Sequence, residues 1–215
     1  MADPDRRYWR IMKYLVIGGT GRTGRRAVEL LRDLGHEVVV GTRRPRDDRS
    51  VAVDLAGSLD PGIVTGVDGV IVSVEPPVDE AGADTVMNAG VGRIAELAAT
   101  QGIPVVLLSQ IYITRADEHP ELAGIIRARG AGEQVLRDSG APYAIVRPGW
   151  LTNSAAGGVR LEQGDRGDGS VSRETVARAT VAALLNSEAH GKTFELYDGP
   201  AEVDWPTAFT DLKTD

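Results

Sequence analysis

The stretch VIGGTGRTGR at residues 16–25 constrains this chain more than any other: an apolar strand tip runs straight into Gly18, Gly21 and Gly24, spaced three apart. A buried strand that opens through such a turn into a helix leaves backbone N–H groups pointing along the helix axis. The amides of Thr20, Gly21, Arg22 and Thr23 are therefore expected to face an anion held on the helix dipole, as a pyrophosphate is held. Gly18 would allow the tight turn, Gly21 the close approach and Gly24 the packing of strand on helix. The spacing is GxxGxxG, shifted from the commoner GxGxxG, so its context carries the inference.

That context is a steady alternation of strand and helix. Apolar β-branched runs at 13–18, 37–42, 50–55, 69–74, 104–109, 143–147 and 192–196 predict strands. Between them, Ala27, Leu30, Leu31 and Leu34 fall on one helical face, and Met87, Val91, Ile94 and Ala98 on another. Residues 132–140 end a further helix at Gly140, and Ser172 is an expected N-cap for a helix carrying Val176, Ala179, Thr180, Ala183 and Leu184. Such alternation predicts an α/β fold: a Rossmann-like, doubly wound parallel sheet in a single domain. The polar residues 1–11 are expected to be an N-terminal extension and residues 12–215 the NAD(P)-binding Rossmann domain. Two long segments rich in small and polar residues, 110–124 and 150–172, are expected as loops at the carboxyl ends of strands, where open α/β sheets hold ligands.

Composition narrows the ligand. A formal net charge of −7 gives no basic face for a phosphate backbone, so a small-molecule substrate is expected and nucleic acid is not. The absence of cysteine excludes disulfides and thiolate catalysis and is compatible with a reducing cytoplasm. No run approaches the roughly 20 apolar residues of a membrane span, and a cytoplasmic, soluble protein is expected. Monomer and homodimer are equally compatible with the sequence. The three histidines, His36, His119 and His190, lack ligand spacing, so no metal site is expected.

The end of the second strand discriminates between cofactors. An NAD site places an acidic residue there for the ribose hydroxyls; here the strand ends GTRRP, with Arg43 and Arg44. A guanidinium binds a 2′-phosphate through paired charge-assisted hydrogen bonds, so NADP(H) is the expected cofactor, with Arg22 as a second positive charge in the glycine turn. Asp54 is either a contact to the adenine amino group or a turn residue, and Leu55 supplies a backbone contact beside it.

GGTGRTG, Arg43, VDL at 53–55, the helix beginning DTVMNAG, the Ser109 strand end, GEQVLRDSGAPYAIVRPGWL and GSVSRETVA together resemble the atypical short-chain dehydrogenases of the NAD(P)H-binding, NmrA-like group. In size and layout the likeness is to the small biliverdin/flavin reductase type. The resemblance implies that Gly18 to Gly24 hold the pyrophosphate, Arg43 the 2′-phosphate, and Asp54 and Leu55 the adenine. It places Ser73 and Val74 along the cofactor, and Ser109, Pro148, Gly149, Trp150 and Leu151 near the nicotinamide.

This chain departs from the group in its acid–base residues. No YxxxK exists, and four residues before Glu133, where many atypical relatives carry lysine, stands Arg129. An arginine there binds a ribose or a carboxylate but does not exchange protons. Tyr112 and His119, in the segment after Ser109, are the remaining candidates for proton chemistry or for stacking, and Trp150 for stacking. The expectation is an NADP(H)-dependent oxidoreductase passing hydride to a small planar or carbonyl acceptor, such as a flavin or quinone. The alternatives are a non-catalytic NADP(H) sensor and a cofactor-recycling isomerase or epimerase.

Overall fold

A computed structural model describes residues 10–215. Residues 1–9, most of the expected N-terminal extension, lie outside the described residues. Ten strands and six α-helices follow one another through the described residues. β1 (Lys13–Ile17), β2 (Glu37–Thr42), β3 (Ser50–Ala52), β4 (Gly69–Val72), β5 (Val105–Leu108), β6 (Tyr143–Pro148), β8 (Gly158–Glu162) and β10 (Lys192–Gly199) form one sheet. Its order is β3-β2-β1-β4-β5-β6-β10-β8, and every pair is parallel except β10 with β8. β1 lies at the switch point, with Leu15 in register with Val39 on one side and Val70 on the other.

Both faces of this sheet are covered, because successive side chains of a strand point to opposite faces. Tyr14, Val16, Ile71, Val106 and Val146 pack on one face with α1 (Gly24–Asp33), α5 (Arg173–Leu185) and α6 (Trp205–Asp211). Their chain neighbours Leu15, Ile17, Val70, Val72, Leu107 and Ile145 pack on the other, against α3 (Val91–Gln101) and α4 (Ala123–Asp138). The predicted stripe of Met87, Val91, Ile94 and Ala98 is wholly buried on that second face. The result is the doubly wound, single-domain α/β architecture that the alternation predicts.

Four features differ from the sequence reading. The strand expected over 50–55 stops at Ala52: the Asp54 carboxylate accepts the Ala56 N–H at 3.0 Å and turns the chain away. The helix carrying Met87 is not one regular element; α2 (Glu80–Asp84) and α3 are joined by a π-helical turn, Thr85–Gly90. There α4 crosses closely, and a side chain at Gly132 would overlap the Met87 carbonyl. Residues 150–172 are not a loop. They contain β7 (Trp150–Thr152) and β9 (Ser170–Ser172), a small parallel sheet of their own, and β8, the antiparallel edge of the main sheet. Val159 and Leu161 face the core between outward Arg160 and Glu162, an alternation that accounts for the strand. Finally, α6 follows the last strand and buries Phe209.

Candidate functional site

The glycine turn leaves the carboxyl end of β1. Gly18 adopts φ +79°, and a side chain on it would overlap the Ser73 carbonyl at the end of β4; one on Gly24 would overlap Gly18 itself. Above Gly21, by contrast, the Gly18 carbonyl at 3.1 Å is the sole near neighbour, so that position is open to a ligand. One detail corrects the sequence reading: the Gly21 amide is spent within the turn on the Gly18 carbonyl, at 2.9 Å. The amides of Thr20, Arg22 and Thr23 have no backbone acceptor among the described residues. Thr23 begins α1 without a side-chain cap, and no acidic residue stands in the first turn. An uncapped helix start with free donors and Arg22 beside it is an anion site.

Beyond the turn, on the β2 side, lies a recess of about 220 Å³ whose lining includes Thr42, Arg25, Arg44 and Arg46 together with Glu29 and Asp47. Arg44 contributes to it, whereas Arg43 is exposed outside it. Asp54 is exposed beyond β3, and the Leu55 carbonyl is taken by Arg93 at 2.6 Å.

On the other side of the turn two adjoining cavities run along the carboxyl ends of β4, β5 and β6. The first, about 380 Å³, joins Gly21, Arg22 and Thr23 to Ser73 and Val74. The second, about 410 Å³, is walled by Tyr112, Leu122, Ile125, Gly149 and Trp150. Ser109, Arg129, Pro148 and Leu151 line both. The structure thus brings together most of the predicted site: the turn, the β4 end, Ser109, Arg129 and the 148–151 segment.

Ser109 and Arg129 are each only 5% exposed. The Arg129 guanidinium donates to the carbonyls of Leu108 (3.1 Å), Ser109 (3.4 Å) and Val74 (3.4 Å), strapping the ends of β4 and β5 together. The exposed Glu75 carboxylate stands 3.8 Å away, and burial holds the guanidinium's pKa below its ordinary value. Its Nε and the Ser109 hydroxyl are buried without a hydrogen-bond partner among the described residues. Such unsatisfied groups at a cavity are the pattern of a site completed by a ligand.

The outer cavity is aromatic. The Tyr112 ring lies 4.2 Å from His119 and 6.0 Å from Trp150, centroid to centroid, with Arg115 over the Tyr112 face at 4.6 Å. His119 packs edge-on to Trp150 at 5.5 Å and is not among the residues lining the cavity, so it braces the aromatic wall. Trp150 is 47% exposed, an unusual cost for an indole unless something covers it. Burial first, and then the nearby Asp168 carboxylate, push the Tyr112 hydroxyl's pKa up, while that hydroxyl and the Gly169 N–H, which donates at 2.6 Å, hold Asp168 below the usual carboxylate range.

A turn that cradles anions, at the switch point of a doubly wound sheet, is where dinucleotides bind. The family model described as NAD(P)H-binding matches residues 18–187. The chain belongs to this NAD(P)H-binding family. An uncharacterized chloroplastic protein of Arabidopsis thaliana is 32% identical over 212 residues, 86% of this chain and 76% of that one. The (4-alkanoyl-5-oxo-2,5-dihydrofuran-3-yl)methyl phosphate reductase of Streptomyces griseus is 30% identical over 211 residues, 88% of this chain and 68% of that one. Among solved structures, a Bacillus halodurans protein described as an NAD-dependent epimerase/dehydratase superposes with a TM-score of 0.82 at 22% identity. It covers 94% of this chain and 100% of its own, and shares the fold.

For a member of the NAD(P)H-binding family, the glycine turn and first cavity fit the cofactor: two glycines that admit no side chain, an open third, free amides and an orphaned serine. Sequence reasoning missed Glu75, Arg173, Asp165 and Asp168. Arg173, the first residue of α5, donates to the carbonyls of Leu151 (3.2 Å) and Thr152 (3.1 Å), fixing the 150–153 segment against the cleft. It stands in the quoted GSVSRETVA, so the signal was present without a role attached. Asp165 and Asp168 lie in QGDRGDGS, whose composition is that of solvated loop, and nothing local marks one of its acids as buried.

Proposed function

We propose that this protein is an NADP(H)-dependent reductase that passes hydride to a small planar or carbonyl acceptor held against the wall that Tyr112 and Trp150 form. The observation that carries the proposal is the meeting of the two cavities at Ser109 and Arg129: a trough running from an anion cradle opens into an aromatic-walled chamber. Bound NADPH would supply the hydride. The free amides of Thr20, Arg22 and Thr23 would bind its pyrophosphate, and the recess with Arg44, Arg25 and Arg46 its 2′-phosphate. Ser109 and Arg129 would orient the nicotinamide end, while Trp150, Leu122 and Ile125 exclude water from the acceptor.

Proton delivery distinguishes this site from an alcohol–ketone enzyme. Arg129 is tied to three backbone carbonyls, and Tyr112, its pKa raised, has no lysine four residues on to lower it, so neither reproduces the Tyr/Lys pair of an alcohol–ketone enzyme. Acceptors whose reduced form is a weak base, and takes its proton from water, suit these groups; flavins and quinones are of that kind. The relative named as a reductase supports reductase chemistry. A second reading, a non-catalytic NADP(H) sensor, draws on the same lack of a Tyr/Lys pair.

Binding and turnover separate the two. The protein is expected to bind NADPH more tightly than NADH and to oxidise it when offered a panel of flavins and quinones. Arg44→Ala should reduce the NADPH-over-NADH preference at least tenfold, a loss of about 1.4 kcal/mol, with Arg43→Ala weaker. Equal affinity for the two cofactors in the unaltered protein would overturn the cofactor assignment.

A further inference from the structure

The aromatic wall is held from a distance. Tyr112 sits at φ +71°, a left-handed conformation that a bulky side chain seldom adopts. A hydrogen-bonded turn starts at Tyr112, whose carbonyl accepts the Arg115 N–H at 3.0 Å, but as its first residue Tyr112 does not have its φ set by that turn. The Asp165 carboxylate sets it: one oxygen accepts the Tyr112 N–H at 2.7 Å, the other the Thr114 N–H at 2.7 Å and its hydroxyl at 3.0 Å. Asp165 is itself left-handed at φ +53° and 1% exposed. Its own N–H donates to Glu195 at 3.1 Å, Glu195 accepts from Arg147 at 3.0 Å, and Arg147 pairs with both oxygens of Glu133. A chain of buried hydrogen bonds thus runs from α4 through β6 and β10 to the backbone of the acceptor wall, with the Arg115 guanidinium 3.9 Å from the Asp165 carboxylate.

We propose that Asp165 is the positioning residue that locks Tyr112 in its left-handed conformation and so places the Tyr112–Trp150 wall of the acceptor chamber. The inference that the place of this wall selects the acceptor rests on the reductase reading above; the lock itself does not. Asn at 165 keeps the shape but turns an NH2 group toward one of the two backbone donors. It therefore cannot hold both amides and the Thr114 hydroxyl. Asp165 touches neither the glycine turn nor the first cavity, so cofactor affinity is outside its reach.

Hydrogen–deuterium exchange on the full chain tests the lock. In Asp165→Asn the 110–116 segment should exchange at least tenfold faster, with the glycine turn and β6 within twofold of the unaltered protein. Thr114→Val, which removes one bond to the same carboxylate at an exposed residue, should give a smaller acceleration confined to that segment, and it decides the matter if Asp165→Asn does not fold. Unchanged exchange at 110–116, or acceleration spread evenly over the chain, overturns the proposal. With menadione as the probe acceptor, Asp165→Asn should raise KM at least tenfold, with kcat within threefold and NADPH Kd within twofold. A fall in kcat at unchanged KM overturns the role in acceptor selection. If the unaltered protein fails to oxidise NADPH under every flavin and quinone offered, the reductase reading fails while the exchange result still decides the lock.

Discussion

At the scale of single residues, this protein puts polar atoms where they cost stability and recovers function from some of them. Ser109 and Arg129 are unsatisfied at the cleft; His190 is unsatisfied away from it. Its Nε2 is buried without a partner, and burial pulls its pKa below the ordinary 6.5. A histidine whose folded pKa is depressed binds its proton more readily in the unfolded chain. Its contribution is therefore neutral above pH about 6.5 and becomes destabilising as pH falls below it. Urea midpoints at pH 7.5 and pH 5.5 should show a smaller acid loss for His190→Gln than for the unaltered protein; identical losses would remove His190 from the account. At the cleft, Trp150→Ala should raise the acceptor KM at least tenfold while leaving NADPH affinity within threefold, since the indole walls only the outer chamber. Steady-state kinetics with separate cofactor titration checks this. Of the site, the glycines, Ser109 and Arg129 were legible because turn chemistry and strand ends are local signals. The choice of Arg44 over Arg43 to face the recess was not, since it depends on how the chain turns after β2, and a dipeptide of arginines carries no record of that.

At the scale of elements, the site is an arrangement of strand ends. β1, β4, β5 and β6 deliver the turn, Ser73, Ser109 and Pro148 to one edge because their register is parallel and their hydrophobic runs are continuous, a pattern the sequence displays openly. Joining β6 to α4 and β10 is the buried Arg147, whose pKa is raised by its bonds to Glu133 despite its burial. Arg147→Met would leave two buried carboxylates without their cation, and loss of one partner from such a network costs about 3–5 kcal/mol. Chemical denaturation should show that drop, and a loss under 1 kcal/mol would mean the carboxylates are not confined as described. In α1, Gly24→Ala forces a methyl group into Gly18 and should abolish detectable NADPH binding with a modest fall in Tm; retained binding would contradict the cradle. The strands within 150–172 escaped the sequence reading for a physical reason. β7 and β9 are three residues each and half polar, too short for a period to show, while β8 is an antiparallel edge whose alternation becomes informative only once β10 is known to pair with it.

At the scale of the whole molecule, a chain of net charge −7 gathers Arg22, Arg129 and Arg173 at one cleft and Arg25, Arg44 and Arg46 at the recess beside it. Glu75 stands at the cleft and Glu29 and Asp47 at the recess, so cations outnumber acids at both. None of the described helices is long and apolar enough to cross a membrane. Fold and cofactor class follow from the glycine turn and the alternation; the acceptor does not, because its chamber is walled by segments brought together from far apart in sequence. The measurement that bears most directly on the central claim is a turnover experiment with NADPH deuterated at the hydride-donating carbon. In the presence of a flavin or quinone acceptor, wild-type protein should consume the cofactor with a primary isotope effect and do so far more slowly after Trp150→Ala at subsaturating acceptor. Tight binding of both NADP and NADPH with no consumption under any acceptor would contradict it and make the protein a sensor.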